Sequence, residues 1–111
     1  MRKIAANYVF LPGKPLLKQG YVVWDDGAVR EVVDTGGELR EIHGLEFYGG
    51  MLVSAGVLEK RGMWKAGDAL LPFLTACYRD EDKDVAGLAI IEGADLKQMV
   101  FCEGTEVVRL V

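Results

Sequence analysis

The chain has 111 residues, half of them hydrophobic, and a net charge of −4 with a single histidine. That is the length of one domain with enough apolar material for a packed core, which excludes a disordered chain. No basic block and no interleaving of aromatics with Arg and Lys occurs, so nucleic acid is excluded as a partner, and no apolar run is long enough to span a membrane.

The first residues, Met1 to Asn7, begin with the cations of a secretion signal. They then run through Tyr8-Val9-Phe10 into Pro12-Gly13 with no sustained apolar stretch and no cleavage site, which predicts a cytoplasmic chain. Cys77 and Cys102 are the two cysteines, neither at a CxxC spacing. In a reducing compartment they read as small buried thiols.

Lys3 to Phe10 reads as a first strand, and Leu11-Pro12-Gly13-Lys14-Pro15 as a turn. Leu16 and Leu17 form a short apolar patch. Tyr21-Val22-Val23-Trp24 suits a pleated strand. Asp25-Asp26-Gly27 supplies hairpin-turn chemistry, and Ala28 to Val33 returns as the second strand. Thr35-Gly36-Gly37 breaks the chain. Glu38 to His43 reads as a short helical turn or an irregular connector. Leu45 to Tyr48 is strand-like, Gly49-Gly50 reads as a tight turn, and Met51-Leu52-Val53 as a short buried strand.

The character changes at Glu59. Trp64, Leu70, Leu71, Phe73, Leu74, Cys77 and Tyr78 recur close to helical spacing. The spacing predicts a helix over Asp68 to Arg79, with Asp68 as N-cap and Pro72 in the first turn. Arg79 to Asp84 is a mixed charge run, read as a solvated loop. Ala86 to Gly93 predicts a strand ending in a turn, Ala94 to Val100 a connector or short strand, and Glu106 to Val111 a final strand. The chain therefore divides into an N-terminal part (1–58), a helical insert (59–84) and C-terminal strands (85–111). The expected fold is an α+β or mainly β domain, several short strands packed sheet on sheet with one inserted α-helix.

The order of these pieces resembles a known family. An opening strand, a Pro-Gly turn, a strand ending at Asp26-Gly27, an apolar return strand and the strand Met51-Leu52-Val53 look like the start of a metal-dependent amidohydrolase. The likeness is to the cytosine deaminase and chlorohydrolase-like branch. Ala86-Gly87-Leu88 through Val111 looks like the C-terminal end of such a protein. The resemblance covers Ile4 to Glu59 and Ala86 to Val111. It implies a mainly β fold with one inserted α-helix, the composite β-sandwich that, in the family, both chain ends build beside a (β/α)₈ barrel. About thirty residues between the two matching parts cannot hold eight βα units.

The family's chemistry is interrupted here. The strand that Met51-Leu52-Val53 resembles leads, in the family, to two metal-binding histidines one residue apart, then Leu and Glu. Ser54-Ala55 and Leu58-Glu59 look like the flanks of that motif. Between them stand Gly56 and Val57, neither of which ligates a metal, with the spacing one residue short. No catalytic residue, metal or cofactor is therefore expected. His43, in a Glu-rich connector, reads as a surface or half-buried side chain. Glu59 has no metal to serve. Asp25 and Asp26 read as turn formers, and Ser54 sits in no nucleophile-elbow pattern.

Losing the barrel would leave one face of the sandwich uncovered. Trp64, Leu70, Phe73, Leu74 and Tyr78 are the candidate residues for an association surface or a small-ligand pocket, either by folding over that face or by meeting a second subunit. The expected function is a non-catalytic, stand-alone amidohydrolase remnant that acts as a protein-association module, as a homo-oligomer or with another protein. The alternative is a hydrolase of C–N bonds other than peptide bonds that needs a partner to supply the metal site.

Overall fold

Strand β1 (Arg2–Val9) is apolar on both sides, and that makes it the hub of the sheet. Ile4 and Ala6 face one side and Ala5 the other, and all three are fully buried. A computed structural model describes residues 1–37, 42–79 and 85–111. Most of the predicted connector Glu38 to His43, residues 38–41, and most of the predicted charge run, 80–84, lie outside the described residues.

The described strands form one mixed sheet. β2 (Leu17–Lys18) pairs with β1, and the sheet runs β4 (Ala28–Val33), β3 (Tyr21–Asp25), β1, β5 (Leu45–Ser54), β6 (Leu88–Glu92), β7 (Glu106–Arg109). β1 and β5 are parallel, and the other described pairs are antiparallel. The mainly-β expectation holds, but the strands do not form two face-packed sheets. The reason lies in the pairing: β1 and β5 bond to each other and each takes another neighbour, so the N-terminal hairpin and the C-terminal strands become wings of one sheet.

The predicted hairpin is present. Its turn is the two-residue pair Asp26 (φ 51°) and Gly27 (φ 73°), with Asp25 closing β3. Positive φ at both positions matches the right-handed twist of the flanking strands.

Gly49-Gly50 is not a turn. It lies inside the ten-residue strand β5. Ala6 pairs with Tyr48 and Tyr8 with Met51, so Asn7 alone faces Gly49 and Gly50. This is a β-bulge, and it absorbs the glycine conformation (φ 127° at Gly50) without ending the strand.

The sheet carries a core on each face. Ile4, Val9, Val22, Leu52, Leu88 and Ile90 fill one, closed by Leu11 and Val85. Met51, Val53, Ala89, Ile91 and Val107 fill the other, under helix α1 (Leu70–Tyr78) and Phe101. Leu70 and Leu74, four residues apart, share the inward stripe of α1.

Two details of the helical insert differ from expectation. Ala69, not Asp68, is the N-cap of α1, and it makes no side-chain cap bond. The Asp68 carboxylate instead accepts from the Lys65 backbone N–H at 2.8 Å. The first helical donor, Leu70 N–H, is satisfied by Met99 O at 2.8 Å, and Phe101 N–H donates to Asp68 O. A neighbouring segment does the work of a cap. There is also a second helix, a 3₁₀ turn over Ala55–Lys60, capped by Ser54 Oγ accepting from Gly56 N–H at 3.2 Å.

Candidate functional site

Four segments converge at one end of β5. Ser54 passes into the 3₁₀ turn, α1 lies alongside, Gly87 leads into β6, and Arg109 ends β7. They leave a cleft of about 630 Å³. Its floor is Ser54, Ala55, Gly56 and Gly87. Phe73, Ala76 and Cys77 of α1 form one wall, and Glu59, Lys60, Met63 and Arg109 line the rest.

Backbone bonds hold the floor in place. Ala55 N–H donates to Gly87 O at 2.9 Å. Tyr78 sits beneath: its hydroxyl donates to Phe10 O at 2.6 Å and accepts from Ser54 N–H at 3.2 Å. Gly87 has to be glycine, since a β-carbon there would lie 2.8 Å from Val111 O, 2.9 Å from Arg109 Nη2 and 3.0 Å from Ala55 Cβ. The Arg109 guanidinium therefore lies close against bare backbone at the cleft.

The five residues predicted to form a surface or pocket separate into different places. Leu70 and Leu74 are fully buried between α1 and the sheet, so they form no surface. Their apolar stripe packs in one cluster with Met51, Val53, Ala89 and Ile91 of the sheet. Trp64 stacks on Phe101 (centroids 4.7 Å apart, planes 6° from parallel), and Phe73 meets both rings edge-on. Of the five, Phe73 lines the cleft. Tyr78 is half-buried and engaged at its hydroxyl.

The remaining candidates are scattered. His43 is exposed, and its carbonyl accepts from Lys3 Nζ at 3.2 Å. Asp25 lies 3.6 Å from the N-terminal amine and Asp26 3.9 Å from Arg30, so the two carboxylates serve different cations. Val57 is fully buried and Gly56 belongs to the 3₁₀ turn. Among the described residues no three His, Cys, Asp or Glu side chains group as a metal site would require. Sequence reasoning did not name Lys60, Met63, Gly87 or Arg109 as site residues, because nothing local ties them together; they meet only when β5, β6 and β7 pair.

A second feature lies on the face that α1 covers elsewhere. Ladder partners share a face, which sets two rows across β4, β3, β1 and β5. One row is Val33, Tyr21, Ala5, Phe47, and the other is Glu31, Val23, Lys3, Leu45. Phe47 is 50% exposed. Tyr21, Val23, Val33 and Leu45 are half-buried, and none of these five packs into either core.

Compared with protein-family models, with curated proteins and with solved structures, the chain finds no match.

Proposed function

We propose that this chain is a non-catalytic remnant of the composite β domain of metal-dependent amidohydrolases, and that it works as a protein-association module by pairing with a second copy of itself. The observation that carries this reading is the apolar strip of Tyr21, Val23, Val33, Leu45 and Phe47. It continues the sheet face that α1 covers elsewhere, and it belongs to neither core. Phe47 is half exposed and the other four are partly exposed, and apolar side chains so grouped on a sheet face favour burial against a partner. Lys3 and Glu31 lie in the same row on either side of Val23, with opposite charge. A two-fold arrangement sets Lys3 of one copy against Glu31 of the other, which makes the strip complementary to itself. The family part of the reading is supported by β5 pairing with β6, Leu52 opposite Ile90, which joins the two regions of resemblance in one sheet.

Light scattering, with metal determined on the same sample, tests the reading. A metal-free dimer that Phe47→Glu converts to a monomer is the expected result. A wild-type monomer overturns the self-association. Stoichiometric zinc or iron overturns the non-catalytic reading and moves the C–N hydrolase to first place.

A further inference from the structure

We infer that the cleft beside α1 binds a small carboxylate carrying an apolar body. Its volume, about 630 Å³, lies in the range of small-molecule sites. Phe73 and Ala76 offer an apolar wall, and Met63, 68% exposed, is a flexible side chain able to close over a bound group. Among the described residues, two cations, Lys60 and Arg109, and one carboxylate, Glu59, line the cleft, so two cationic groups are within reach of a bound monoanion.

Arg109 is the group that selects the ligand class. Among the described residues, neither it nor Lys60 is in an ion pair. Its planar fork matches a carboxylate through two parallel hydrogen bonds, which a Lys ammonium cannot reproduce. The missing side chain at Gly87 lets the guanidinium lie against the floor; a β-carbon there would be 2.9 Å from Nη2. A ligand carboxylate on Arg109 then leaves its apolar body to rest on Phe73 and Ala76. The strip proposed for self-association lies on β4, β3, β1 and the start of β5, so failure of that reading leaves the cleft as it is.

Isotope-labelled protein titrated by NMR with phenylbutanoate, phenylbutanamide and phenylbutylamine tests this. The carboxylate should shift the backbone amides of Gly56, Gly87 and Arg109, with a dissociation constant on the order of 1 mM for a ligand of this size. The neutral amide should bind about tenfold more weakly or worse. Arg109→Met should weaken phenylbutanoate to the level of the amide while leaving the thermal midpoint unchanged, since Arg109 is exposed. Ala76→Trp, from an exposed helix position, should fill the cleft and abolish the shifts. Equal binding of acid and amide, preference for the amine, or shifts confined to residues outside the cleft would each overturn the proposal, as would no shift at all.

Discussion

Asn7 Oδ1 accepts a hydrogen bond from Gly50 N–H at 2.8 Å, across the one break in the parallel pairing of β1 and β5. The bulge leaves a backbone donor without a ladder partner, and the Asn7 side chain replaces the missing acceptor. The Asn7 carbonyl also accepts from Gln19 N–H at 2.7 Å. Asn7→Ala is expected to destabilise the fold by about 1–3 kcal/mol, the cost of a part-buried donor left unmatched. Gly50→Ala should cost more than about 3 kcal/mol, through positive-φ strain and a clash. A β-carbon there would sit 2.1 Å from Ile91 O. Urea unfolding of both variants measures this, and an unchanged midpoint for Asn7→Ala would show that the bulge does not need the side chain.

Tyr78 anchors the C-terminal end of α1 to the ends of β1 and β5 through Phe10 O and Ser54 N–H. Tyr78→Phe keeps the ring contact with Phe10, centroids 5.5 Å apart, and removes both hydrogen bonds. A loss of about 1–3 kcal/mol is expected, since a donor and an acceptor lose their partner together. Hydrogen exchange at Ser54 should quicken in the variant. If it does not, water has replaced the phenol at no cost.

Leu70 and Leu74 are core residues, and Phe73 faces the cleft. Leu74→Ala should cost about 2–5 kcal/mol in chemical denaturation, as cavity-forming truncations do. Phe73→Leu should cost less, because Phe73 is half-buried. It should nevertheless change the emission of Trp64, whose ring lies 5.6 Å from it. An equal cost for the two would mean that α1 is seated differently on the sheet.

Arg2 donates to both Glu46 carboxylate oxygens, at 2.7 and 2.8 Å, and Tyr48 donates to one of them at 3.2 Å. The hydrogen bonds from Arg2 hold the Glu46 carboxyl below the usual carboxylate range, against partial desolvation. Because the folded value is the lower one, this contribution to stability is present above the unfolded carboxylate pKa of about 4.3 and is lost as pH falls through the folded value. Both side chains are more than a third exposed, so solvent screening keeps the pair to about 0.5–1 kcal/mol. The stability gap between wild type and Arg2→Gln should be open at neutral pH and close in acid. A gap that persists at the acid end would assign the effect to packing of the Arg2 stem.

The hairpin at Asp26-Gly27 and the strands β1, β6 and β7 were legible in the sequence because each rests on neighbours a few residues apart: turn residues, alternation, β-branched side chains. The helix was legible from the spacing of Leu70, Leu74 and Tyr78. The same local rules misread Gly49-Gly50 as a turn. Whether two glycines end a strand or bulge within it depends on β1, whose Asn7 lies 43 residues from Gly50. Asp68 looked like a cap until the segment at Met99 to Phe101 took that role.

The aromatic and leucine set around α1 was visible as apolar, but which of its members would be core and which would line a cleft depended on the partner each face meets. Of the cleft, Phe73 alone was legible as a pocket candidate; its other walls could not be read from the chain. Ser54, Phe73, Gly87 and Arg109 come from separate elements, and no spacing rule links them. Local propensity is written in the order of residues, so the sequence by itself determined the elements. Register, burial and the juxtaposition of charges arise from pairings between distant strands, so only the tertiary structure decided the single sheet, the apolar rows across β4, β3, β1 and β5 and the position of Arg109 over Gly87.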